Sequence, residues 1–175
     1  MMRCLIVTRV AAEFADEIER LAGAEIPITA CRDAEDALAA YTDEQILFGN
    51  PQDIAALLPH MPTVQWVQSS WAGVTPLIDA SRRDYTLTGV KGVFGPQMSE
   101  YVLGHLLAHE LKINGRLEQQ RRRRWSREQS GSLAGKSRGI LGSGSSGAHI
   151  AASASAVHLE PLALSRAGIP GVGFD

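Results

Sequence analysis

The sequence is poor in cysteine and in aromatic residues, with two cysteines, Cys4 and Cys31, and 6% Phe, Trp and Tyr among 175 residues. Two thiols cannot build the framework of bridges on which small secreted domains depend. Both sit in runs that read as buried strands, where a reduced thiol serves as a small hydrophobe. An excess of positive charge is also missing. Seventeen Lys and Arg stand against nineteen Asp and Glu, a formal net charge of -2. No global basic field gathers nucleic acid or an anionic membrane, so any polyanion site has to be local. Long apolar runs are lacking too. Leu5-Ile6-Val7 gives way to Thr8 and Arg9, with Glu13 and Asp16 close behind. That run is too short for a signal peptide and far too short to span a bilayer. These absences predict a cytoplasmic protein with no nucleic-acid and no membrane partner.

What is present is ample apolar residue, 45% of the chain, arranged in a regular alternation. "RCLIVT" (3–8) is a compact β-branched run, and residues 11–22 place Ala11, Phe14, Ile18, Leu21 and Ala22 on one helical stripe. The pattern repeats as strand "EIPITAC", helix "AEDALAAY", strand "QILFGN", helix "DIAALLPHM", strand "TVQWVQSS", helix "TPLIDASR" and strand "YTLTGV". Strands separated by helices predict an α/β fold, a parallel sheet with helices on both faces. Asp33, Glu35 and Asp36 read as the polar start of a helix.

After Gly95-Pro96 one long amphipathic helix is expected over 98–124. Tyr101, Val102, Leu103, Leu106, Leu107, Leu111 and Leu117 are available to its buried face. A domain boundary is placed here, giving residues 1–97 and 98–175. A Ser/Gly-rich stretch then leads to the strand "SRGILG", a helix near 145–157 and the strand "EPLALS", one βαβ unit.

Gly142, Gly144 and Gly147 fit Gly-x-Gly-x-x-Gly between that strand and that helix. In a dinucleotide site the first glycine makes the tight turn, the second admits the pyrophosphate, and the third lets helix and strand pack closely. The amides of Ser145 and Ser146 would face the phosphates at the positive end of the helix. A plain Ser/Gly connection is the alternative reading. About twenty residues downstream, an acidic side chain usually holds the ribose of NAD(H). Here the second strand ends in Ser165-Arg166, and Arg166 suits a 2′-phosphate, so NADP(H) is expected over NAD(H).

"VQWVQSSWAGVTPLI", "VKGVFGPQMSEYVLGHLLAHE", "RRRRW" and "LAGKSRGILGSGSSGAHIA", in that order, resemble the D-isomer-specific 2-hydroxyacid dehydrogenases, most of all the glyoxylate/hydroxypyruvate reductase type. The resemblance implies a flavodoxin-like substrate-binding domain over 1–97, then a long helix and the first βαβ unit of a Rossmann domain. It implies reduction of a small 2-oxo acid by hydride transfer from a nicotinamide cofactor, and a homodimer. The loop that holds the substrate carboxylate by backbone amides falls on Ala72 and Gly73, with Trp71 either walling the pocket or packing against the sheet. The family's catalytic Arg and its His–Glu pair would follow Asp175, so the chain is expected to be truncated and inactive alone. A binding or dimerisation module, acting through the first domain and the long helix, is the alternative. Ser143 and Ser146 stand where the family usually has apolar residues.

Two other constellations compete. His105 and His109 are four apart on one helix, with Glu110 following, a spacing that suits a metal. No third ligand is apparent, and packing or interface histidines are the preferred reading. Arg121–Arg124 would suit phosphates, but at a helix end the run reads as a solvated complement to the helix dipole.

Overall fold

The computed structural model describes residues 2–22 and 26–164. The chain divides into two compact units, Met1–Val90 and Lys91–Asp175.

The first unit is a parallel sheet of five strands, β1 (Cys4–Val7), β2 (Ile28–Cys31), β3 (Ile46–Gly49), β4 (Trp66–Ser69) and β5 (Thr86–Thr88), in the order β2-β1-β3-β4-β5. Helices α1 (Ala11–Ala22), α2 (Ala34–Ala40), α3 (Pro51–Leu57) and α4 (Thr75–Ile78) connect them, and a 3-10 turn, Leu58–His60, follows α3. All four residues of β1 are buried, as expected for a central parallel strand covered on both faces. Alternation sorts them. Leu5 and Val7 join Leu47, Ile54, Leu57, Met61 and Val67 in the larger core, while Cys4 and Ile6 join Ala11 and Ile46 in the smaller one. The register pairs Val7 with Cys31 and Cys4 with Ile28, so the two free thiols lie at opposite ends of a strand pair. Burial, then the charge of Glu44, pushes the Cys4 thiol up to about 11.

Asp33 caps α2, its side chain accepting from the amides of Glu35 and Asp36, both at 3.0 Å. The expected stripe of α1 holds only in part. Ala11 is buried, Ile18 is half-buried, and Phe14 meets Phe48 edge-on at 4.8 Å. Leu21 and Ala22 are exposed, Leu21 by 70%. At about 1.5 Å per helical residue and about 3.3 Å per strand residue, this helix outruns four-residue strands, and its last turn overhangs the sheet.

In the second unit β6 (Ser137–Leu141) and β7 (Glu160–Leu164) pair in parallel, joined by α7 (Ser145–Ala156). The single helix expected over 98–124 is two helices, α5 (Gly95–Glu110) and α6 (Ile113–Arg121). The break is Lys112 in the left-handed region, φ 53°, with its amide bonded to the His109 carbonyl at 3.1 Å. Asn114 and Gly115, both weak helix formers, follow at once. Pro96 in the first turn explains the early start, since a missing N–H costs nothing there.

The burial expected for this segment is also corrected. None of Tyr101, Val102, Leu103, Leu106, Leu107, Leu111 and Leu117 is fully buried, whereas Gly95, Ser99 and Glu110 are. α5 packs on α7, and the His149 ring of α7 lies over Gly95, where a β-carbon would stand 2.2 Å from it. Close approach selects glycine at that contact. Leu106 is half-buried against Leu133, Ala154 and Leu159, and Tyr101, Leu107, Leu111 and Leu117 are left facing outward.

Candidate functional site

The glycine turn forms where the strand–helix pattern puts it. Gly142 leaves β6 with φ 104°, a conformation that favours glycine, and its amide donates to the Leu164 carbonyl at 2.9 Å, fastening the turn to β7. Gly144 caps α7. A β-carbon on Gly147 would stand 2.1 Å from the Gly142 carbonyl oxygen, while one on Gly144 would meet nothing within 4 Å. Thus Gly147 is demanded by close packing of helix on turn, and Gly144 leaves open space beside the backbone. Ser145 and Ser146 occupy the first two positions of α7, where amides have no carbonyl four residues back and the helix end is positive. Turn, open space and helix end together fit the pyrophosphate of a dinucleotide. Ser165 and Arg166 lie outside the described residues.

A second constellation lies at the C-terminal end of the first unit's sheet. Ser69 ends β4, and its hydroxyl donates to the Trp71 carbonyl at 2.8 Å and accepts from the Trp71 amide at 3.0 Å, folding the loop back on the strand. Among the described residues neither the Ala72 nor the Gly73 amide has an acceptor, and both residues are exposed. Trp71 is 63% exposed, so it does not pack into the core. It lines a cavity of about 240 Å³ with Gly73, Pro76, Asn50, Pro51 and Gln52. Asn50 caps α3, its side-chain oxygen accepting from the Gln52 amide at 3.1 Å.

Sequence reasoning missed Asn50 and Gln52. Their signal was the Asn-Pro helix start immediately after β3, because ligands of parallel sheets gather beyond the carboxyl ends of strands. A larger cavity, about 580 Å³, opens at the break between α5 and α6, lined by His109, Lys112, Asn114, Gln129 and Ser130 among others. The smaller cavity is the better substrate candidate, since it brings an unpartnered amide, Gly73, to the end of a central strand.

Glu110 is buried and held by Lys136 and by Arg138, the latter at 3.2 Å. The hydrogen bond from Lys136 holds its carboxyl below the usual range against the opposing effect of burial, and the charges of Lys136, His109 and Arg138 add to the shift. His105 and His109 are both exposed, with His105 Nδ1 at 2.9 Å from the Tyr101 carbonyl. Among the described residues no group of three His, Cys, Asp or Glu side chains could hold a metal. Nor is any described helix long and apolar enough to cross a membrane.

No family model and no curated protein matches the chain. Solved structures do. A D-isomer-specific 2-hydroxyacid dehydrogenase family protein from Aeromonas salmonicida subsp. salmonicida A449 is 35% identical, with a TM-score of 0.90, over 99% of this chain and 56% of that one. An NADPH-dependent glyoxylate/hydroxypyruvate reductase from Sinorhizobium meliloti, in complex with NADP and sulfate, is 18% identical with a TM-score of 0.79, covering 100% and 56%. A probable 2-hydroxyacid dehydrogenase from Rhizobium etli CFN 42, in complex with NADP, HEPES and L(+)-tartaric acid, is 20% identical with a TM-score of 0.75, covering 98% and 56%. At those lower identities the likeness shows the fold alone.

The fold is that of the 2-hydroxyacid dehydrogenases. The family the sequence resembles and the family the structure matches are the same, the D-isomer-specific 2-hydroxyacid dehydrogenases, and the chain spans about half the length of these relatives.

Proposed function

We propose that the chain carries the substrate-anchoring and pyrophosphate-binding parts of an NADP(H)-type D-2-hydroxyacid dehydrogenase that reduces a small 2-oxo acid such as glyoxylate or hydroxypyruvate. Residues 1–97 serve the substrate and residues 98–175 begin the nucleotide-binding part. The observation that carries this reading is the pair of unpartnered amides, Ala72 and Gly73, beside the Trp71 cavity.

In this reading the Ala72 and Gly73 amides receive the substrate carboxylate, Trp71 walls the carbon chain and limits water, and the Asn50 and Gln52 carboxamides face the distal end. Gly142, Gly144 and Gly147 shape the turn, and the Ser145 and Ser146 amides hold the pyrophosphate. The nicotinamide cofactor, when bound, supplies the hydride. Arg166 pairs with the 2′-phosphate and sets the preference for NADP(H). No residue of this chain is assigned to proton exchange.

Titration of the isotope-labelled chain with glyoxylate and hydroxypyruvate tests the substrate half. Shifts confined to Trp71, Ala72, Gly73 and Asn50 support it, and shifts elsewhere with none at these amides refute it. Calorimetry with 2′-phospho-ADP-ribose and ADP-ribose, on the chain and on Arg166→Ala, tests the cofactor half. Binding of the phosphorylated ligand that weakens with salt and is lost in the variant supports NADP(H), whereas equal binding of both ligands refutes it.

A second reading, a non-catalytic binding or homodimerising module, is favoured by the outward Tyr101, Leu107, Leu111 and Leu117 of α5 and α6. Light scattering decides it. A dimer broken by Leu107→Glu or Leu111→Glu supports this reading, and a concentration-independent monomer removes it.

A further inference from the structure

The loop that leaves β4 is held at its base and free at its tip. Four of its backbone groups are claimed in succession. The Ser69 carbonyl accepts from Gln68 Nε2 at 2.8 Å, and the Ser70 amide donates to the Gly49 carbonyl at 2.8 Å. The Trp71 amide and carbonyl are both taken by the Ser69 hydroxyl, at 3.0 and 2.8 Å. The Ala72 and Gly73 amides, next in the chain, have no acceptor among the described residues.

A chain leaving a sheet has to pair its backbone groups somewhere. Running the ladder on past Ser69 would use up the amides that follow. A serine hydroxyl both donates and accepts, so Ser69 satisfies Trp71 from within the loop and leaves the next two amides unclaimed. Ser69 is 0% exposed. Its hydroxyl therefore acts on a ligand in the Trp71 cavity only through the backbone it holds.

Gln68 stands behind this arrangement. It lies opposite Thr88 in the register of β4 and β5, and its Oε1 accepts from the Thr88 hydroxyl at 2.6 Å. Thr88 accepts in turn from the Trp66 indole at 2.7 Å. The carboxamide is thus fixed at both ends, between β5 and the base of the loop.

We propose that Ser69 is the positioning residue of the carboxylate site, holding both Trp71 peptide groups so that the Ala72 and Gly73 amides are in place before a 2-oxo acid arrives, with Gln68 steadying the Ser69 carbonyl. The proposal rests on the reading of those two amides as the carboxylate donors and gives the reason they bind. A loop already in place loses little freedom on binding, whereas a loose one is ordered at the expense of affinity. Glyoxylate and hydroxypyruvate share the carboxylate, so loosening the loop should weaken both by the same factor.

The test is amide NMR titration of the whole chain with glyoxylate and with hydroxypyruvate. In the parent chain both acids should shift Ala72 and Gly73. Ser69→Ala should weaken both by roughly fivefold or more, and speed amide exchange at Trp71, Ala72 and Gly73 while the amides of β4 keep their protection. Ser69→Thr keeps the hydroxyl and should recover most of the affinity. Arg82→Met is the control for stability alone, because Arg82 holds the Met61 and Val64 carbonyls ahead of β4; it should lower the unfolding midpoint and leave both affinities unchanged. Gln68→Met, at a half-buried position, decides the matter where Ser69→Ala does not fold: a loss of roughly twofold or more for both acids supports the proposal, and none overturns it. A parent chain whose Ala72 and Gly73 amides do not shift overturns the carboxylate reading and this role of Ser69 together. Shifts in the parent with undiminished affinity in Ser69→Ala overturn the role of Ser69 alone. So does a loss that Arg82→Met reproduces, or one that falls on a single acid.

Discussion

Arg82 donates through Nη1 to the Met61 carbonyl at 2.5 Å and through Nη2 to the Val64 carbonyl at 2.6 Å, with the Leu58 and Pro62 carbonyls at 3.3 and 3.2 Å. One guanidinium thereby satisfies the carbonyls of the turn between α3 and β4, and its side chain is only 17% exposed. Replacing it with Met keeps the stem but leaves those carbonyls short of donors. Arg82→Met should cost about 2 kcal/mol of unfolding free energy, as for hydrogen bonds to a charged group. Arg82→Lys should cost less, because an ammonium still serves some of the carbonyls that Met leaves without this donor. Urea denaturation checks both.

The glycines of the turn are not equivalent. Gly147→Ala drives a β-carbon to 2.1 Å from the Gly142 oxygen and should destabilise the second unit by about 1–3 kcal/mol, the usual cost of overpacking. Gly144→Ala meets open space at an ordinary φ of -73° and should cost less, up to about 1 kcal/mol from the poorer cap at the start of α7. Hydrogen exchange at the amides of α7 separates the two. Equal protection loss in both variants would contradict the packing argument.

Three helices end on left-handed residues that are not glycine: Lys112 after α5, Arg123 after α6 and His158 after α7. His158 donates its amide to the Ser155 carbonyl at 2.9 Å, and Leu159 to the Ala154 carbonyl at 3.1 Å. That conformation strains an L-residue by about 1–2 kcal/mol, against about 0.5–1 kcal/mol for glycine's greater freedom when unfolded. His158→Gly should accordingly raise stability by about 0.5–1 kcal/mol, read as a higher denaturant midpoint at unchanged slope.

Glu110 should make the second unit acid-sensitive. Its carboxyl is held below the usual 4.5, first by the hydrogen bond from Lys136. The folded chain then takes up this proton less readily than the unfolded chain. The stability it contributes is complete above the unfolded value near 4.5 and is lost as pH falls through the lowered folded value. Glu110→Gln should lower stability at pH 7 and flatten the decline between neutral and acid pH. A decline as steep as in the parent would assign the acid sensitivity to other carboxylates. Glu44 is one, since burial opposes its ionisation but the Thr42 and Asp43 amides and Arg3 hold it ionised.

The sequence by itself determined the order of strands and helices in the first unit, the cap at Asp33 and the strand–turn–helix at Gly142–Gly147. These are local signals. Apolar residues repeating every two or every three to four positions select strand or helix, and Gly, Pro and Asp set turns and caps through their own backbone chemistry. The strand order β2-β1-β3-β4-β5 is the flavodoxin-like one that the family resemblance implied, and only the tertiary structure decided the placing of Asn50 and Gln52 beside Trp71 and which residues of α5 face inward. The last was misread from the sequence because an apolar stripe marks a face without saying what comes to meet it. Here α7 brings the His149 ring over Gly95, so Gly95 is buried while Tyr101 and Leu107 are not. The break at Lys112 was hidden for a related reason. Leucine periodicity runs through residues 103–117, and a left-handed residue that bonds back to His109 leaves no mark on that periodicity. Contacts between residues distant in the chain settle such questions, and a single sequence records them only as residue types that several partners could satisfy.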